Sequence, residues 1–185
     1  MIRKIEFSKR ALRTAAVTGA GVLAAATLGA ALAPAASAAP TAASATCRTA
    51  DLGVQLKAGS PGAGQRFATV VLTNTSAHAC TVQGYGGLAL LGAPGQGVPT
   101  DLRRVTTPAP APVRLQPGQS ARSGLQWTVV PADDEPGTAC EPTATTVVVT
   151  PPDQDTAALR PWSFGPVCQH GQIHQNAYVP GSAAL

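Results

Sequence analysis

Residues 67–73 read Phe67-Ala68-Thr69-Val70-Val71-Leu72-Thr73, and residues 74–76 follow as Asn74-Thr75-Ser76. The first seven carry no Gly, no Pro and no charge. They are rich in β-branched side chains and nearly continuous in apolar character, as a central strand requires. Asn, Thr and Ser side chains bond nearby backbone groups, so the next three residues close the strand in a turn.

Working outward, Ser60-Pro61-Gly62-Ala63-Gly64 is a turn, and before it Leu52, Val54 and Leu56 alternate with Gly53, Gln55 and Lys57. That period of two marks a strand with one buried face. On the other side come a short strand at Cys80-Thr81-Val82, a turn at Gly84-Tyr85-Gly86-Gly87 and a strand at Leu88-Ala89-Leu90-Leu91. Repeated Pro and Gly over residues 92–112 exclude a long helix and predict an exposed excursion, with a short strand near Leu102 to Val105. Val113-Arg114-Leu115 and the turn Gln116-Pro117-Gly118-Gln119 lead into a long strand from Ser120 to Val130. An acidic loop fills residues 131–142, a strand runs from Thr143 to Thr150, and a last strand pair is expected between Trp162 and Val179. No stretch has a helical period of 3.6. The expected fold is all-β, an immunoglobulin-like antiparallel β-sandwich.

The N-terminus reads differently. Arg3, Lys4, Lys9, Arg10 and Arg13 precede an uncharged run from Ala15 to Ala33, and Pro34 then breaks it. Ala36-Ser37-Ala38 is the small-x-small pattern of signal-peptidase cleavage. Residues 1–38 are therefore expected to be a cleaved signal peptide, residues 39–46 a flexible lead-in, 47–179 the sandwich and 180–185 a C-terminal tail. The run is too rich in Ala, Gly and Thr for a retained span, and Ser44-Ala45-Thr46 before Cys47 is a poor lipidation box. Ser8-Lys9-Arg10 faintly resembles a twin-arginine signal, so that route stays open beside the favoured general secretory one. The product is expected to be secreted, monomeric and free of the membrane.

Cleavage removes the basic character. The chain has 13 Lys+Arg and 9 Asp+Glu; residues 1–38 hold five of the former and one of the latter, leaving 8 and 8. A neutral domain gives no support for nucleic-acid binding. Cys47, Cys80, Cys140 and Cys168 all lie in the exported part, an even set without any C-x-x-C pair, and read as two disulfides. Sequential neighbours in a sandwich usually pack together, which predicts Cys47 bonded to Cys80 and Cys140 to Cys168.

Cys47, Asp51-Leu52, Leu72-Thr73-Asn74-Thr75-Ser76, Cys80-Thr81-Val82, Gly84-Tyr85, Leu115-x-Pro117-Gly118-x-Ser120-Ala121, Trp127 and Cys140, in that order, resemble the secreted actinobacterial family catalogued as domain of unknown function 4232. The resemblance covers about Cys47 to Val179 and implies an extracellular β-sandwich without assigning an activity. Gly86 stands where the family is expected to prefer Pro after Gly-Tyr, a departure expected to loosen that turn.

Candidate chemistry is sparse. His170 and His174, beside Cys168, suggest a metal pair, yet on a straight strand four residues span about 13 Å, too far for one ion. A blue-copper set would need the Cys168 thiolate with His78 and His170 or His174, and would leave an odd cysteine. Ser123-Gly124 and Ser163-x-Gly165 lack the full nucleophile elbow. Asp133, Asp134 and Glu135 are consecutive and read as a solvated acidic tip. Arg103-Arg104, the one adjacent basic pair after cleavage, suggests at most contact with an anionic envelope polymer. No catalytic residue, metal ligand or cofactor is assigned. The expected function is a non-enzymatic extracellular or cell-envelope binding or structural module whose partner is an extracellular protein or envelope polymer. The alternatives are an inhibitor of extracellular proteases presenting the loop at residues 131–142, and a copper-binding sandwich.

Overall fold

A computed structural model describes residues 45–137 and 140–182. The expected signal peptide, residues 39–44 of the lead-in and residues 183–185 of the tail lie outside them. The apolar run at Phe67 sits in β2 (Gln65–Asn74), where Ala68, Val70, Leu72 and Asn74 face the core and Thr69, Val71 and Thr73 face the other way. β2 is central: it pairs antiparallel with β1 (Leu52–Ala58) through Leu52↔Asn74 to Ala58↔Ala68, and with β8 (Ser120–Thr128) through Gln65↔Thr128 to Thr73↔Ser120. Beyond β8 come β11 (Gln172–Asn176) and then β6 (Asp101–Val105), while β12 (Val179–Pro180) also pairs with β8 and completes a six-stranded sheet.

A second sheet has the order β10 (Ala158–Pro161), β9 (Thr146–Thr150), β4 (Gly87–Leu91) and β5 (Gly97–Val98). β3 (Cys80–Val82) and β7 (Val113–Leu115) form a two-stranded piece. One core joins them: Val70, Leu72 and Leu125 from the large sheet meet Leu90, Val147 and Val149 from the second and Leu115 from β7. Each such side chain contributes roughly 1.5–3 kcal/mol by leaving water. The few aromatics are concentrated, with the Trp127 and Trp162 ring centroids 5.1 Å apart and Phe164 edge-on to both. Their indole N–H groups donate to the Pro166 and Gly165 carbonyls, so neither buried donor is left unpaired. Cys47 bonds Cys80 and Cys140 bonds Cys168, as the sequence predicts, closing loops of 33 and 28 residues. By chain entropy each is worth roughly 3–4 kcal/mol.

The structure corrects several details. β6 pairs with β11 in parallel, Gln172↔Asp101 to Asn176↔Val105, so the sandwich is not antiparallel throughout. A long connection separates the two strands, and no hairpin forces them to oppose. Trp162 is not in a strand: β10 ends at Pro161, and Trp162 is buried in the core. Cys168–Gly171 forms one helical turn, with Gln169 and His170 at φ of 58° and 59°. The last two lead-in residues are held, because Ala45 accepts from Thr81 N–H at 2.9 Å and Thr46 bridges to Thr81. The first tail residues are held too, with Pro180 in β12 and Gly181 N–H donating to Ser120 at 2.7 Å. Gly86 stands at a close approach of backbone to its neighbours. A Cβ there would lie 2.6 Å from the Thr150 carbonyl oxygen and 3.4 Å from the Tyr178 ring, so the glycine permits close packing.

Candidate functional site

In the loop at residues 131–142, Asp133 and Asp134 are exposed, as a solvated tip requires, but Glu135 is 9% exposed and corrects that reading. Its Oε2 accepts from Ala132 N–H at 2.6 Å and Gln169 N–H at 2.9 Å, and its Oε1 accepts from His170 N–H at 2.6 Å. Left-handed backbone at Gln169, His170 and Gly171 aims those last two donors at one carboxylate. Burial pushes the Glu135 carboxyl up, but the backbone N–H bonds and the neighbouring His170 outweigh it and hold it below its ordinary 4.5. Gly171 is required twice over, by φ of 76° and because a Cβ would run into the Pro99 carbonyl. The loop is thus tied to the strand entering β11 by Glu135 and by the Cys140–Cys168 bond.

The other residues singled out in the sequence are dispersed or engaged. His170 Nε2 lies 3.2 Å from Asp134 Oδ1 in an exposed pair, while His174 Nε2 is 3.1 Å from Gln172 Oε1. His78 is exposed in the turn after β2. The groups that do converge are Glu135, Glu141 and His170, whose ligand atoms lie within 4.8 Å of one another. A cation there would compete with three N–H donors for the Glu135 oxygens. Cys168, as half of a disulfide, offers no thiolate for blue copper. Ser123 is buried, and its hydroxyl donates to the Asn176 carbonyl at 2.6 Å, a structural bond. Arg103 pairs with Asp101 at 2.7 Å, and Arg104 stacks over the Tyr85 ring at 5.2 Å.

A different set of cations is gathered in a groove of about 710 Å³ on the outward face of the large sheet. Strand alternation places it there: Lys57 lies opposite Thr69, and Arg122 opposite Val71, all on the face away from the core. Arg114 joins them from β7, projecting outward between the buried Val113 and Leu115. Gln119 and Ser120 add polar lining, and among the described residues no carboxylate side chain lines it. The Arg122 Nε is buried and has no hydrogen-bond partner among the described residues. Sequence reasoning missed this site. Periodicity alone would have turned Lys57 and Arg122 outward, but their convergence depends on the β1–β2–β8 register.

Residues 47–178 match the model of a family described as Domain of unknown function (DUF4232). No curated protein and no solved structure matches the chain.

Proposed function

Because the chain belongs to the DUF4232 family, whose description assigns no activity, we propose a function from the site itself: a secreted, non-catalytic binding module of the cell envelope or extracellular space. It is read as a monomeric, immunoglobulin-like sandwich, with the parallel β6–β11 edge as its departure from that pattern. Residues 1–38 serve as the signal peptide. The two disulfides suit an oxidising compartment, and no helix among the described residues is long and apolar enough to cross a membrane.

One observation carries the reading. Several side chains equipped for chemistry are occupied in holding the fold: the cysteines in disulfides, Glu135 in backbone bonds and Ser123 on a carbonyl. What stands free for recognition is the groove bearing Lys57, Arg114 and Arg122. The test is co-sedimentation of the purified protein with insoluble envelope material of the producing cells, run beside a hydrolase screen. Saturable sedimentation without turnover is expected; turnover, or no sedimentation at any concentration, contradicts it.

A second reading, inhibition of extracellular proteases, draws support from the doubly tied loop at residues 131–142, since a segment fixed before binding loses little entropy on docking.

A further inference from the structure

We infer that the groove over β1, β2, β8 and β7 binds a linear polymer charged by phosphate or carboxylate oxyanions. The inference rests on the reading of the chain as a binding module and names that module's ligand class. Residues 39–185 carry 8 Lys+Arg and 8 Asp+Glu, yet three of those cations line one groove without a single carboxylate. The five cations elsewhere are engaged: Arg48 with Asp51, Arg66 on the Gln65 carbonyl, Arg103 with Asp101, Arg104 on Tyr85, and Arg160 on the Val54 carbonyl. Net neutrality with a one-signed groove concentrates positive potential there.

The extent of the groove, lined from β1, β2, β7 and β8, suits a polymer better than a small anion. Lys57 and Arg122 sit two strands and two residues apart, about 12 Å at Cα by ordinary strand spacing, and Arg114 comes from a third strand. Charges drawn from three strands along one groove match successive charges along a chain. The buried Arg122 Nε without a partner is a donor that an oxyanion would satisfy, since leaving it unpaired costs free energy. The Thr69 hydroxyl and the Gln119 amide N–H lie between the charges and suit a polyol or sugar backbone, while the Ser120 hydroxyl is shared with Thr73 at 2.8 Å and Gln119 Oε1 accepts from Gln116 N–H at 2.9 Å. No aromatic side chain lines the groove, so it offers no stacking platform for nucleic-acid bases.

Fluorescence anisotropy of labelled long-chain polyphosphate and labelled polygalacturonate, titrated with the purified protein, tests this and separates the two charge types. Saturable binding of at least one polymer is expected. Three contacts at about 0.7 released counterions each give a log–log salt slope of about −2. Lys57→Gln with Arg114→Gln, both exposed, should weaken binding by about tenfold or more while leaving the melting temperature within a few degrees. Arg48→Gln with Arg103→Gln, the same charge change outside the groove, should leave it within about twofold. Equal weakening by both pairs, equal binding of neutral dextran, or tighter binding of oligothymidylate than of polyphosphate overturns the inference. If both anionic polymers fail while envelope sedimentation persists, the ligand class is wrong and the binding-module reading stands; if sedimentation fails as well, both fall.

Discussion

Asn74 is fully buried at the end of β2, continuing the core face set by Val70 and Leu72. Its Nδ2 donates to the His78 carbonyl at 2.7 Å and the Leu115 carbonyl at 3.0 Å, and its Oδ1 accepts from Ser76 N–H at 3.0 Å. A burial of this kind is tolerable only because every polar atom is matched. Half of this was legible: Asn-Thr-Ser reads as a turn whose side chains bond nearby backbone, and the Ser76 bond is that turn. The bond to Leu115, 41 residues away, was not, because it depends on how β7 docks. Asn74→Ala removes the side-chain donor to the buried Leu115 carbonyl, while the His78 carbonyl keeps the Ser76 hydroxyl at 3.0 Å, and should lower stability by about 1–3 kcal/mol in urea unfolding. A loss below about 0.5 kcal/mol would mean the network contributes little.

At the scale of elements, strands with clear periodicity were legible and those without it were not. Leu52, Val54 and Leu56 announce β1, and the valines at 147–149 announce β9. The turn at Cys168–Gly171 carries no such pattern, since two non-glycine residues there adopt left-handed backbone. Such residues cost about 1–2 kcal/mol each and persist only where the surroundings impose them. Glu135 imposes them, and its dependence on charge makes the element sensitive to pH. Its carboxyl is held below 4.5 in the folded chain, so its contribution is fully present above that value and fades as pH falls through the lowered one. Glu135→Gln should reduce the melting temperature at neutral pH and narrow the gap from wild type under acid conditions. Thermal melts at stepped pH read this directly, and a gap that is constant from neutral to acid pH would assign the loss to packing instead of charge.

For the whole molecule, composition and cysteine count pointed to an all-β, disulfide-bonded domain, and both properties are present. The groove proposed for binding was hidden for a physical reason. Lys57, Arg114 and Arg122 lie on separate strands, each an ordinary outward residue of its own segment, and only the sheet register and the placement of β7 collect them. Conversely, of the histidines and acidic residues that stood out as neighbours in sequence, Glu135, Asp134 and His170 tie the loop, while His174 contacts Gln172 on β11 and Asp133 is exposed. The account therefore places recognition on the groove and structural duty on the loop at residues 131–142. Amide chemical-shift mapping, with soluble fragments released from the producing cells' envelope, tests that division most directly. The account predicts perturbations centred on Lys57, Thr69, Arg114, Ser120 and Arg122, with the loop unmoved. Perturbations confined to residues 131–142 and 168–171, with the groove silent, would contradict it.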